Sequence, residues 1–291
     1  MTREADNKPI QVEQLSESYR FDDELATLLT EFQYHQDGIT LTAAEPRPLP
    51  PTSYSAPTEG LEAVFGSTAS LVFVCYDDRG YQMVNPIEAR LVKSISNAIT
   101  AVSPTARPDG GAAAPLAEGP AEIPDSRSGG RDGQSEDEPH YDLSDSPSFG
   151  VVTPHNAQRG VLEGILSEEV TTNTVEKYQG GERDIIAVCG TVSDPEFARS
   201  EERFILNPQR LLVAISRSRL LTVVVCSTSL FEVAPEDSER LDHGPVWARL
   251  FTKAVGQDPE PAWSGSLDRF VGADIDEYPT VSVSVYPNCT K

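Results

Sequence analysis

The sequence predicts an α/β fold, in which a parallel sheet is covered by helices on both faces. Four continuous runs of β-branched and apolar residues, typical of buried strands, are separated by segments with helical spacing. The runs are 71–75, 149–153, 184–189 and 221–226. Three runs end in a cysteine, and we interpret Cys75, Cys189 and Cys226 as small buried strand residues rather than disulfide or zinc partners.

Before the long polar segment in mid-chain, the pattern predicts two helices around the first strand. The first helix follows three acidic residues that suit a helix N-terminus. Its apolar stripe is Leu25, Leu28, Leu29 and Phe32. Residues 43–60, rich in Pro, Ser and Thr, are predicted to be a loop. The second helix covers 85–95, and Pro86 fits its first turn.

The second half of the chain returns to alternating strands and helices. Helices are predicted near 158–166, over 210–219 and at 247–255, and the remainder is predicted to be a loose tail. Residues 101–147 consist mainly of Ala, Gly, Pro, Ser, Asp and Glu, which cannot bury enough apolar surface to offset the entropy of ordering. We predict a disordered acidic insertion there, acting as a solvated spacer rather than as a site that recruits a partner.

The charge is strongly acidic, with 46 acidic and 23 basic side chains and a net charge of −23. Such a surface disfavours non-specific binding to anionic polymers, and it fits a halophile with a high-salt cytosol that screens self-repulsion. Residues 151–227 are nearly balanced, with 10 acids and 8 bases, as expected of a region that meets phosphates. The N-terminus has no secretory pattern and no apolar run approaches eighteen residues. We therefore predict a cytoplasmic protein with no membrane partner.

Two arginines stand where a phosphate could be reached. Arg20 precedes the first predicted helix, and Arg217 lies in the predicted last turn of helix 210–219. A guanidinium is a planar fork that stays protonated. As an arginine finger it neutralises charge on a γ-phosphate, an effect worth about 10³–10⁵ in rate. The alternatives are a solvated surface group for Arg20 and, for Arg217, a favourable contact with the helix dipole.

Two further segments combine polar side chains with a turn at a strand end. Thr153 follows a strand, so that its hydroxyl can bind a nucleic-acid phosphate or simply cap the next helix. His155 has no second histidine or carboxylate spaced to make a metal site or a triad. Before strand 184–189, a turn with two glycines permits close backbone approach to a ligand. Its flanking side chains are suited to contact a ribose, the water network bound to a triphosphate, or partner arginines. The turn consists of Gln179, Gly180, Gly181 and Glu182.

Taken together, residues 15–231 resemble the second RecA-like domain (2A) of superfamily 1 helicases of the UvrD-like and nonsense-mediated-decay-helicase type. The similar segments occur in the family order, interrupted by the 101–147 insertion. The resemblance implies a RecA-like fold of the P-loop NTPase kind. It also implies arginine fingers at Arg20 and Arg217, and nucleic-acid contacts at Thr153 and Thr174. The segment Gln179-Gly180-Gly181-Glu182 would lie beside the nucleotide.

The same resemblance divides the chain into segments. It implies the two parts of domain 2A over 15–100 and 148–235, separated by the insertion over 101–147 and followed by a C-terminal extension over 236–291. The polar composition predicts a disordered N-terminus over 1–14.

The sequence departs from the family because it lacks Gly-x-x-x-x-Gly-Lys-Ser/Thr and an acidic magnesium-binding strand, which domain 1A supplies. The chain begins at about the point where domain 2A begins, and we expect a fragment that binds ATP and Mg²⁺ only with a Walker A-containing domain 1A on another chain. We expect single-stranded DNA or RNA as the second partner, and little ATP hydrolysis by the chain alone. The alternative is a non-enzymatic single-strand-binding module or a non-functional remnant.

Overall fold

A computed structural model describes residues 17–19, 21–34, 38–44, 54, 56–100, 147–178, 181–236, 244–273 and 281–288. The disorder predicted for 1–14 and for the insertion falls outside the described residues. So do three of the predicted site residues, Arg20, Gln179 and Gly180.

The described residues form nine strands and nine α-helices. The strands are β1 Glu17–Ser18, β2 Thr42–Ala43, β3 Leu71–Tyr76, β4 Phe149–Thr153, β5 Thr171–Thr174, β6 Arg183–Cys189, β7 Ser218–Ser227, β8 Trp263–Ser266 and β9 Ser282–Pro287. The helices are α1 Asp23–Phe32, α2 Glu59–Phe65, α3 Pro86–Thr100, α4 Asn156–Ile165, α5 Pro195–Ser200, α6 Glu202–Ile205, α7 Pro208–Ile215, α8 Val246–Val255 and α9 Leu267–Val271. All four predicted strands and the predicted helices α1, α3, α4 and α8 are confirmed.

The main sheet has the order β5-β4-β6-β7-β3-β9-β8 among the described residues. The first five strands in this order are parallel, whereas β9 runs antiparallel to both β3 and β8. The predicted parallel sheet is confirmed, and β9 and β8 add an antiparallel edge to it. The prediction of a loose tail is wrong, because β8, α9 and β9 lie there. Residues 281–285 alternate valine and serine, and the buried Val283 and Val285 show that this period-two pattern marks a strand.

Two apolar layers cover the two faces of the sheet, as predicted. Alternate side chains of β3 point to opposite layers, because successive residues of a strand face opposite sides. Val72, Val74 and Tyr76 belong to the layer that contains residues of α2, α3 and α9. Leu71, Phe73 and Cys75 belong to the layer that contains residues of α1, α7 and α8. The three described cysteines are free and buried, which confirms their interpretation as strand residues.

The helix predicted over 210–219 is wrong at its C-terminal end. Asn207 caps the N-terminus of α7 through its side-chain oxygen, and the helix ends at Ile215. The Thr222 hydroxyl donates to the Ile215 carbonyl oxygen at 2.9 Å, and Ser218 already pairs with Arg183 in the sheet. Arg217 therefore lies in the turn between α7 and β7, directly after the C-cap Ser216, and not in the last turn of the helix.

Within the described part of the chain, no helix is both long enough and apolar enough to cross a membrane.

Candidate functional site

The predicted site residues occupy two opposite edges of the sheet. Glu182 directly precedes β6 and Arg217 directly precedes β7, so both lie at the amino-terminal edge of the parallel strands. Thr153 and Thr174 are the last residues of β4 and β5, at the carboxyl-terminal edge. The turn that includes Gly181 connects the two edges, because it runs from the end of β5 to the start of β6. The resemblance assigned the two groups to different ligands, but it did not place them at opposite edges of the sheet.

A cleft of about 570 Å³ at the amino-terminal edge brings together three of the predicted segments. Its polar lining includes Ser18 and Tyr19 from the segment before Arg20, Glu182 from the glycine turn, and Ser216 from the turn before β7. Tyr19 is 68% exposed, so its ring is available to a ligand. Segments about two hundred residues apart in the sequence therefore meet at one cleft.

Ion pairs hold the carboxylates at this edge. Arg219 contacts Glu182 at 3.4 Å between Nε and Oε2, and contacts Asp184 at 4.0 Å between Nη1 and Oδ1. These pairs are partly exposed, so they orient side chains more than they stabilise the fold. The backbone N–H of Arg183 donates to the carbonyl oxygen of Arg217 at 3.3 Å. This bond fixes the backbone of the turn that carries the half-buried Arg217 side chain.

The turn after β5 is held against β4 by Tyr178. The backbone N–H groups of Lys177 and Tyr178 both donate to the Thr174 carbonyl oxygen at 3.0 Å, and the N–H of Gly181 donates to the Tyr178 carbonyl oxygen at 3.0 Å. The buried Tyr178 side chain occupies the space in which a Cβ at Gly150 would lie. Gly150 therefore lets the turn pack directly on β4, which positions Gly181 and Glu182.

The polar groups at the cleft can be compared with the groups of a nucleotide. Hydroxyls, an ion-paired carboxylate and an adjacent guanidinium fit a ribose and phosphates. Among the residues that the structure describes, no group of three or more His, Cys, Asp or Glu side chains could hold a metal ion. The cleft thus combines hydrogen-bonding hydroxyls with the Glu182 carboxylate, which is already ion-paired.

At the carboxyl-terminal edge, Thr153 and Thr174 are direct partners in the register of β4 and β5. Their side chains are buried, with exposed fractions of 0% and 5%. The Thr153 hydroxyl lies 3.1 Å from the Thr191 hydroxyl. Thr153 does not cap α4, because the helix begins after His155 and has no side-chain cap.

An aromatic cluster that the sequence analysis missed borders this edge. The His155 ring stacks on Phe204 at 5.6 Å between centroids, and the Arg210 guanidinium lies 4.1 Å from the Phe204 ring centre. Arg210 also pairs with Glu176 in the turn after β5. Burial lowers the pKa of His155 below its ordinary value. The cluster joins His155, the α6–α7 segment and the turn, and no local periodicity predicts this contact.

A buried polar network beneath the same edge was also missed. Its centre is Glu88 of α3, which is completely buried and accepts hydrogen bonds from Thr191 and Gln158. Burial raises the pKa of Glu88 to about 7. One signal was available in the sequence. Glu88 precedes Leu91, Val92 and Ile95 at helical spacing, so a carboxylate stands on the apolar face of the helix.

Comparison with known proteins points to one class. Residues 135–229 match the family model of an AAA domain. The chain is 35% identical over 83 residues to the DNA polymerase alpha-associated DNA helicase A of Saccharomyces cerevisiae, which covers 27% of this chain and 12% of that protein. It is 33% identical over 93 residues to the probable RNA helicase armi of Drosophila melanogaster (29% and 8%). These similarities support a superfamily 1 helicase-type domain.

The third relative is the DNA replication ATP-dependent helicase/nuclease JHS1 of Arabidopsis thaliana, with 31% identity over 92 residues (31% and 7%). The chain therefore spans only 7% to 12% of the length of these three relatives. The segment 135–229 that matches the AAA domain contains β4 to β7, and with them Thr153, Thr174, Glu182 and Arg217.

Proposed function

We propose that the chain supplies the second RecA-like (2A) half of an ATP-dependent superfamily 1 helicase. A Walker A-containing domain 1A on another polypeptide would complete the enzyme. The observation that carries this proposal is the cleft at the amino-terminal edge, where the segments preceding Arg20, β6 and β7 meet. The similarity of residues 135–229 to an AAA domain and to helicases supports it.

In this proposal the cleft faces the nucleotide that domain 1A binds. Arg20 and Arg217 neutralise charge that develops on the γ-phosphate, and the segment from Gln179 to Glu182 contacts the nucleotide. The phosphate loop and the Mg²⁺ ligands come from domain 1A, because this sequence contains no Gly-x-x-x-x-Gly-Lys-Ser/Thr segment. Arg217 follows Ser216, which lines the cleft, so its turn is suited to reach a phosphate there.

The opposite edge would hold single-stranded DNA or RNA by its backbone, through Thr153 and Thr174. The relatives carry names of both a DNA helicase and an RNA helicase, and phosphate contacts serve either polymer. Because the Thr153 hydroxyl is buried and bonded to Thr191, we expect it to reach a phosphate only after a local opening of this edge. The separation of the edges lets ATP and nucleic acid bind at the same time.

A non-enzymatic single-strand-binding module is the second candidate. Thr153 and Thr174, register partners at the carboxyl-terminal edge, would hold a single strand in such a module without any nucleotide. The two functions differ in a measurable way: the module binds single strands with an affinity that ATP does not change, whereas the helicase half responds to ATP through domain 1A.

The test is ATP hydrolysis by the full chain, alone and mixed with a polypeptide of the same genome that carries a phosphate loop. We expect no turnover by the chain alone and turnover stimulated by a single-stranded oligonucleotide in the mixture. Arg217→Lys should lower this rate by roughly 10³-fold, because an ammonium lacks the planar fork. Arg269→Lys, at an exposed arginine paired with Glu59, is the control and should change nothing.

Appreciable hydrolysis by the chain alone would contradict the proposal. An Arg217→Lys mixture that is as active as the unaltered one would remove Arg217 from the role of finger.

A further inference from the structure

A series of hydrogen bonds connects the buried Glu88 carboxylate to Thr153, at the carboxyl-terminal edge of the parallel strands. Oε2 of Glu88 accepts from the Thr191 backbone N–H at 2.7 Å, and Oε1 accepts from the Thr191 hydroxyl at 3.0 Å. Gln158 of α4 donates its Nε2 to the same Oε1 at 3.2 Å. Thr191 lies 3.1 Å from Thr153, hydroxyl oxygen to hydroxyl oxygen. All four side chains are buried, with no exposed area.

The backbone at Thr191 is held in an uncommon conformation. Its φ is 61°, in the left-handed region that β-branched residues rarely adopt. Such strain persists only where the surroundings enforce it, and it concentrates at functional sites. Here the two bonds to Glu88 hold both the N–H and the hydroxyl of Thr191. Asn85 adds a third, because its Nδ2 donates to the Thr191 carbonyl oxygen at 2.9 Å.

The positions of the protons in this series of hydrogen bonds follow from the number of protons that each hydroxyl can donate. A threonine hydroxyl has one proton, and that of Thr191 is donated to the Glu88 carboxylate. The bond between the two threonines therefore uses the proton of Thr153. While Glu88 is ionised, the Thr153 hydroxyl is committed inward and cannot donate to a phosphate.

We propose that Glu88 is a positioning residue for nucleic-acid binding: its carboxylate locks the Thr153 hydroxyl inward through Thr191, and protonation of Glu88 releases it. A protonated Glu88 donates its own proton to Thr191, the threonine hydroxyls reverse, and Thr153 can then donate to a phosphate oxygen. This inference rests on the proposed role of Thr153 in nucleic-acid binding. It predicts that single strands bind more tightly when Glu88 is neutral.

Glu88 is the group in this buried network that changes its protonation state near neutral pH. Tyr76 of β3, Cys189 of β6 and Cys226 of β7 interact with it electrostatically. Burial raises the pKa of each of these three well above its ordinary value, so they stay neutral while Glu88 titrates about pH 7. His155, the N-cap residue of α4, has a pKa that burial lowers below its ordinary value.

The experiment measures binding of a fluorescent single-stranded oligonucleotide to the full chain by anisotropy, from pH 6 to 8.5 at fixed salt. The unaltered chain should bind roughly tenfold more tightly at pH 6 than at pH 8.5. This factor corresponds to about one additional hydrogen bond, from the Thr153 hydroxyl to a charged phosphate. Glu88→Gln, which mimics the neutral acid, should bind at every pH as the unaltered chain does at pH 6. Thr153→Val should bind weakly at every pH.

The control is Glu163→Gln on α4, which removes one exposed negative charge and should keep the full pH dependence. Far-ultraviolet circular dichroism checks that each variant is folded. If Glu88→Gln does not fold, Thr191→Val, which removes the hydroxyl between Glu88 and Thr153, should abolish the pH dependence, and a Thr191→Val chain that keeps it would overturn the inference. If Glu88→Gln keeps the pH dependence of the unaltered chain, the inference fails while the proposed function stands. If the unaltered chain binds no single strand at any pH, the proposed nucleic-acid role fails and this inference with it.

Discussion

At the scale of single residues, Gly150 and Tyr178 decide how the glycine turn is held. A Cβ at Gly150 would overlap the Tyr178 hydroxyl oxygen, while its next neighbours, on Arg183 and Ile186, would lie 3.0 and 3.1 Å away. The Tyr178 hydroxyl is buried and makes no hydrogen bond to any described residue. The Tyr178 side chain therefore stabilises the turn by packing, and it fits there because Gly150 has no side chain.

We therefore expect Gly150→Ala to lower the free energy of unfolding by about 1–3 kcal/mol, the usual cost of overpacking a core. Adding Tyr178→Phe should restore most of the loss, because the atom that the methyl group would meet is then absent. Urea denaturation measures both. Gly160→Ala, on an exposed face of α4 with no atom within 4 Å of the new methyl group, is the matched control and should stabilise by up to ~1 kcal/mol. A Gly150→Ala variant as stable as the control would refute this account of the turn.

At the scale of elements, the C-terminal strands complete the sheet. β9 covers the edge of β3 with five residue pairs in register, and Val283, Val285 and Phe270 are fully buried. Asn288 closes the end of β9, since its N–H donates to the Leu71 carbonyl oxygen at 2.9 Å and its Oδ1 accepts from the Leu71 N–H at 3.3 Å. Without this segment β3 would be an exposed apolar edge strand, which favours aggregation.

A chain that ends at Gly256 should accordingly fail to fold. We expect it to aggregate on size-exclusion chromatography and to lose a cooperative thermal transition. A chain that ends at Asn288 keeps every described strand and should behave as the full chain does. If the shorter chain melts cooperatively as a monomer, the C-terminal strands are an addition to the fold rather than a part of its core.

At the scale of the whole molecule, the net charge of −23 opposes compaction. The ion pairs at the amino-terminal edge and elsewhere are mostly exposed and contribute little against it. Salt screens repulsion between charges farther apart than about 10 Å at 0.1 M. The origin in a halophile and the cytoplasmic location remain predictions from this composition.

The thermal midpoint should therefore rise when KCl is raised from 0.1 M to about 2 M, as repulsion among carboxylates is screened. Differential scanning fluorimetry measures the shift, and sucrose at matched osmolality controls for effects of solute exclusion. A midpoint that KCl lowers, or leaves unchanged, would count against adaptation to high salt. Binding of single strands should weaken over the same range if it depends on phosphate contacts.

Much of the fold could be predicted because burial leaves a local pattern. The β-branched runs that became β3, β4, β6 and β7, and the stripes of α1 and α3, follow from the periods of strands and helices. The end of α7 could not be predicted this way. It depends on the bond from Thr222 of β7 back to Ile215 and on the pairing of Ser218 with Arg183 of β6. The second contact joins two strands that are separated by helices in the sequence, so no local pattern predicts it.

The sequence by itself determined the α/β class, the strands and the residue types suited to phosphates, since local composition and periodicity encode them. Only the tertiary structure decided that Glu182 and Arg217 lie at one edge of the sheet and Thr153 and Thr174 at the other. It also decided that Glu88 lies beneath the second edge, bonded to Thr191 103 residues away. The reason is physical: strand order, direction and the contacts of buried polar groups are set by pairings between distant segments.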